Sequence, residues 1–164
     1  MEGRGKSMNK LLILSTLLVL CFVRCFGDRT INIPIVKEMM KSMKQEYTFI
    51  KHSKMYFQNG PNTLMIRYDV KEDTKEREKE ACFQATKEWL LEGENLETIE
   101  AYLDVGHLKE INIIIATEFI SDWYIGYYYE SEPYGYQDSR YWDEEHVDDF
   151  KTWTHDVIEC REDE

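Results

Sequence analysis

Rings and carboxylates alternate through the second half of this chain. Trp123, Tyr124, Tyr127, Tyr128, Tyr129, Tyr134, Tyr136, Tyr141 and Trp142 are interleaved with Glu118, Asp122, Glu130, Glu132, Asp138, Asp143 and Glu144. A ring face and a carboxylate both attract positive charge, so alternate residues pointing into a cup would cage a small organic cation. If the segment is exposed instead, acidic residues beside tyrosines suit sulfation, which would create an anionic patch for a basic protein. The plain structural alternative is that tyrosine favours strands, where its ring packs and its hydroxyl stays wet.

Other chemistries find little support. His52, His107, His146 and His155 are far apart, and no pair has the i, i+4 spacing that lets one helix face grip zinc. No metal site is expected on that basis, although convergence across strands is not legible in a sequence. There is no Gly-x-Ser-x-Gly elbow, no free cysteine with an evident histidine partner and no phosphate-cradling glycine loop. Paired carboxylates are too common among 32 acidic residues to signal acid–base work. The expectation is a non-enzymatic protein without a cofactor.

Residues 1–27 have the three-part layout of a secretory signal: Arg4, Lys6 and Lys10, then the apolar run Leu11 to Val23, then the small residue Gly27. The run breaks at Arg24, short of the roughly 20 apolar residues a membrane span needs. Cleavage would leave residues 28–164 as one secreted, extracellular domain, and would shift the formal charge from −12 to −15. Nucleic acid and anionic membrane surfaces are then poor partners, whereas small cations and basic proteins are suitable ones. Cys21 and Cys25 would leave with the signal, so that Cys82 and Cys160 remain. A disulfide between them is expected, the alternatives being two free thiols or an intermolecular bridge. It would close a 79-residue loop, for which chain entropy gives roughly 4 kcal/mol. No Asn-x-Ser/Thr sequon occurs.

Ile35, Val36, Met39, Met40 and Met43 fall at helical spacing after Pro34, which predicts a short N-terminal helix. Strands are predicted around Phe49 to Phe57 and from Leu64 to Val70, joined by the turn Gln58-Asn59-Gly60-Pro61. The stretch Lys71 to Glu80, with nine charged residues in ten, reads as a solvated loop. Alternation at Ala81, Phe83, Ala85 and Trp89 and at Ile99, Ala101 and Leu103 predicts further strands. Ile111 to Ile115 with Phe119 predicts a more deeply buried one, and Trp123 to Tyr129 and Tyr134 to Trp142 could add two more. Turn signals recur at about ten-residue spacing, which favours an antiparallel meander over a βαβ arrangement. Val147, Phe150, Trp153, Val157 and Ile158 predict a C-terminal helix packed on the sheet.

In their order these features resemble the lipocalins secreted in tick saliva, the group that includes histamine- and serotonin-binding proteins. The resemblance rests on the helix before Leu64-Met65-Ile66-Arg67-Tyr68, the charged loop after it, the segment Ala81-Cys82-Phe83-Gln84-Ala85-Thr86-Lys87, and the closing helix before Cys160. The chain is shorter than most of those proteins, lacks their additional disulfides, and shows about seven strand-like segments where a closed barrel needs about eight. The resemblance implies a mainly β fold, either an antiparallel meander or a partly open lipocalin-like barrel, with a ligand cavity used to sequester a host mediator, and it implies the pairing of Cys82 with Cys160.

The acidic, aromatic composition favours a biogenic amine over a fatty acid, whose carboxylate would want a cation in the pocket. Candidate ligand-binding residues are Trp89, Trp123, Tyr127 and Tyr129 for packing and Glu118 for charge; a slip of one residue in register would reverse their facing. A monomer that captures a small cation without turnover is the first expectation. The second is a secreted antagonist that binds a basic host protein through its acidic, tyrosine-rich surface.

Overall fold

The computed structural model describes residues 28–128 and 147–159. The expected signal segment, Tyr129, the expected strand Tyr134 to Trp142, and Cys160 lie outside the described residues. Six strands form one open sheet in the order β1-β2-β3-β4-β5-β6: Asp28–Thr30, Ile50–Gln58, Thr63–Val70, Glu110–Ala116, Ile120–Tyr127 and Trp153–Glu159. Three helices accompany it among the described residues: α1 Pro34–Glu46, α2 Glu76–Leu91 and α3 Asn95–Leu103. The fold is mainly β with packed helices, and among the described residues the sheet does not close. None of these helices is long and apolar enough to cross a membrane.

Pro34 starts α1 with its backbone angle already set for a helix, and Val36, Met39 and Met43 recur at the i, i+3, i+7 spacing that buries one stripe against β2. The β2–β3 hairpin pairs Met55 with Ile66 and Phe57 with Leu64, so both strands send their apolar residues toward the helices. Asn62 closes the turn at φ 58°, a left-handed conformation that asparagine tolerates better than most residues.

Between β3 and β4 the sheet departs from a meander. Leu64, Ile66 and Tyr68 align with Ile111, Ile113 and Ile115 in parallel register. Parallel neighbours need a long crossover, which α2 and α3 supply. The segment expected as a strand from Ala81 to Trp89 is the body of α2, because Lys79, Cys82, Phe83, Thr86 and Leu90 form a buried helical stripe. Ile99 and Leu103, one helical turn apart, likewise bury the inner side of α3. The charged run Lys71 to Glu80 is only partly a loop. Its second half is the first turn of α2, where the backbone N–H of Lys75 donates to Glu78 Oε2 at 2.8 Å and Glu76 and Glu78 sit favourably at the positive end of the helix dipole.

The C-terminal segment is also corrected. It is β6, the edge strand among the described residues, which pairs antiparallel with β5, Tyr124 opposite His155 and Gly126 opposite Trp153. Asp149 and Phe150 adopt φ of 53° and 57°, which a right-handed helix does not accommodate, and the aromatic and β-branched residues after them extend instead.

All three helices cover one face of the sheet and share its main core of Leu64, Ile66, Tyr68, Phe83, Ile99, Ile111, Ile113, Tyr124 and others. On the opposite face Met65, Ile114 and Ala116 form a small cluster with Tyr56 and Trp123. Gly126 marks a close approach, since a Cβ there would stand 2.8 Å from Trp153 Cε2. Gly126→Ala should therefore displace the indole and cost about 1–3 kcal/mol, read as a lower urea midpoint at unchanged slope.

Candidate functional site

Two polar groupings stand out among the described residues. The larger is a cleft of about 460 Å3 between the end of α2, α3 and the segment leading into β6. Leu90, Leu91 and Leu96 form its apolar side, while Glu97, Glu100 and Asp149 bring carboxylates and Lys151 an ammonium. Its aromatic wall is a stack: the His107 and Tyr128 rings lie 4.6 Å apart at 10°, and Phe150 leans on Tyr128 at 5.8 Å and 59°.

Glu100 is the buried charge of this cleft, only 7% exposed because it follows Ile99 on the inner side of α3. Its Oε1 accepts the Leu108 N–H at 2.8 Å, and its Oε2 lies 3.6 Å from His107 Nδ1. Burial pushes the Glu100 carboxyl above its ordinary value; the Leu108 N–H and His107 pull the other way, and Asp149 adds to the rise. Asp149 and Phe150 are held in their left-handed conformation by backbone N–H groups that donate to Tyr128 O at 2.9 Å and Tyr127 O at 3.0 Å. Non-glycine residues kept at positive φ cost free energy, and such strain concentrates where a side chain must be placed.

The second grouping lies where α2 crosses the far end of β5 and β6. Lys79 Nζ donates to Asp122 Oδ2 at 2.7 Å, and Lys79 and Asp122 are both buried. His155 Nε2 lies 3.1 Å from Asp122 Oδ1, and Glu76 Oε2 lies 3.6 Å from Lys79 Nζ. Donor atoms of Glu76, Asp122 and His155 all fall within 4.8 Å of one another, so these residues could hold a metal. Rings fix the histidine: Tyr124 stacks on His155 at 4.3 Å and on Phe83 at 4.0 Å. Burial, followed by the nearby Glu80, Asp122 and Glu76 carboxylates, raises the Tyr124 phenol far above its ordinary value.

The expected ligand-binding residues do not gather in either place. Trp89 is half-buried on α2 and lines a separate groove of about 380 Å3 with Ile35, Met39, Met43 and Ala85 of α1 and α2. Glu118 is exposed in the β4–β5 turn, where its N–H donates to Glu72 Oε1 at 3.0 Å. Trp123 and Tyr127 lie on the sheet face away from the helices, and burial together with Glu110 and Asp156 raises the Tyr127 phenol. Tyr129 lies outside the described residues. Cys82 sits on a helix and not on a strand, with its thiol buried and pushed up to about 12.

No protein-family model, curated protein or solved structure matches the chain. Its chemistry has to be argued from the two groupings themselves. Sequence reasoning overlooked Lys79, Glu100 and Asp149. Lys79 had one usable signal, since it falls three and four residues before Cys82 and Phe83 and so shares their helical stripe.

Proposed function

We propose that the chain is a secreted binding protein that captures a small organic cation in the cleft formed by Glu97, Glu100, His107, Tyr128, Asp149 and Phe150, stoichiometrically and without turnover. The observation that carries this reading is the buried Glu100 carboxylate beside a stacked aromatic wall, in a cleft where three carboxylates face one lysine. A cation entering this space gains a charge partner in a poorly solvated place and ring faces to cover its apolar part. The formal charge of −12 over the whole chain adds long-range attraction for cations. This cleft contains none of Trp89, Glu118, Trp123 and Tyr127, the residues expected from the sequence to bind the cation.

Calorimetry with histamine and serotonin tests it. One molar equivalent of amine should bind, and Glu100→Gln should weaken binding by about tenfold or more, as expected when the buried charge facing a cation is removed. Absence of heat from both amines at about 100 μM protein, a concentration that detects micromolar affinity, would overturn the proposal.

The pH dependence has a definite sign. Glu100 holds its proton above the ordinary 4.5, so the folded state binds more protons than the unfolded in that window. This group's contribution to stability is therefore lost as pH rises through it. Amine binding needs the carboxylate, so affinity should rise over the same window, and Glu100→Gln should flatten that rise.

A further inference from the structure

We propose that Glu76, Asp122 and His155 form a divalent transition-metal site at the junction of α2, β5 and β6, separate from the organic-cation cleft. Each of the three elements contributes one donor, and the donor atoms already lie within 4.8 Å of one another. Carboxylate and imidazole ligands bind zinc at about 2.0–2.2 Å, so closure requires the donors to converge further. The member with room to turn is Glu76, whose side chain is 67% exposed; Asp122 and His155 are already in contact at 3.1 Å.

The remaining residues prepare the site. Lys79 donates to Asp122 Oδ2, which leaves Oδ1 turned toward His155 Nε2. A ligating carboxylate is commonly oriented in this way by a hydrogen bond to its other oxygen. The imidazole is held flat against Tyr124, 4.3 Å away and 4° from parallel, and Tyr124 is itself backed by Phe83. Charge fits as well: Glu76, Glu80 and Asp122 against Lys79 leave a formal −2, which one divalent ion neutralises.

Tyr124 is 2% exposed, and the Glu80 carboxylate beside its hydroxyl adds to the local negative charge. One imidazole nitrogen with two carboxylate oxygens suits zinc or its first-row neighbours better than magnesium, which prefers an all-oxygen octahedral shell.

Titration of the secreted chain with zinc chloride, followed by calorimetry, should show one ion bound per chain, with no comparable binding of magnesium. His155→Ala should weaken zinc binding by at least about tenfold, the scale on which even outer-shell changes act. Glu76→Gln alters an exposed side chain, so it keeps the fold and should weaken zinc binding severalfold; it decides the question if His155→Ala fails to fold by circular dichroism. Absence of zinc binding at about 100 μM, or zinc affinity unchanged in either folded variant, overturns the site.

Discussion

Asp122→Ala should cost the fold about 3–5 kcal/mol, the loss typical of removing one partner from a buried ion pair. The Lys79 and Asp122 side chains are 8% and 2% exposed, and their 2.7 Å contact is therefore little screened by water. Deleting the carboxylate leaves the ammonium under α2 with the solvent-facing Glu76 at 3.6 Å as its one remaining ion-pair partner among the described residues, and also removes the acceptor of His155. The cost is mainly that of an unpaired buried charge, so the double variant Lys79→Met with Asp122→Leu should recover most of it. Urea unfolding monitored by tryptophan fluorescence measures both. A loss below about 1 kcal/mol for Asp122→Ala would mean that the pair behaves like an exposed one.

The parts of this fold that were legible in the sequence have one unambiguous period. Val36, Met39 and Met43 repeat as a helix, and Leu64, Ile66 and Tyr68 alternate as a strand with one face buried. The isoleucine-rich run Ile111 to Ile115 reads correctly as a deeply buried strand, with Ile111, Ile113 and Ile115 in the main core and Ile114 in the cluster on the other face, whereas Phe119, expected with it, is exposed in the following turn. In α2 two periods coexist. Ala81, Phe83 and Ala85 alternate, but the buried stripe is Lys79, Cys82, Phe83, Thr86 and Leu90, and its lysine and threonine dilute the apolar signal. That misreading carried the topology with it. Once α2 and α3 are taken as strands, nothing requires a crossover, and the parallel pairing of β3 with β4 cannot be anticipated.

At the candidate sites the composition was informative and the facing was not. β5 does mix rings with carboxylates, but Asp122 and Tyr124 point to the helices while Trp123 and Tyr127 point away, the opposite parity from the one chosen. Side chains alternate with a period of two, so a shift of one residue exchanges the faces completely. Lys79 is one of four cations in a ten-residue charged run, and only the register of α2 distinguishes it from Lys71 and Lys75. Glu100 and Asp149 come together from α3 and from a strained turn 49 positions later, a proximity that no local pattern encodes.

Phe83→Ala is the second large expected effect, about 3–5 kcal/mol for truncating a buried phenylalanine. Phe83 is the only described ring that touches both Tyr124 of β5, stacked at 4.0 Å and 10°, and Trp153 of β6, edge-on at 5.4 Å and 65°. Its removal takes away apolar contact and leaves a void against two large rings in positions set by strand pairing, which limits how far the site can collapse. The loss should also be uneven. Among the described residues β6 is an edge strand whose residues Thr154 to Glu159 are exposed, so Trp153 and the stacked His155 are its principal attachments to the helical layer. Amide exchange should therefore accelerate more in Thr154–Val157 than in Ile111–Ile115, which is paired on both sides. Phe119→Ala supplies the contrast: that ring is 47% exposed in the β4–β5 turn, and its loss should change stability by no more than about 0.5 kcal/mol. Equal costs for the two substitutions, or uniform acceleration across the sheet, would show that α2 does not hold β6 through Phe83.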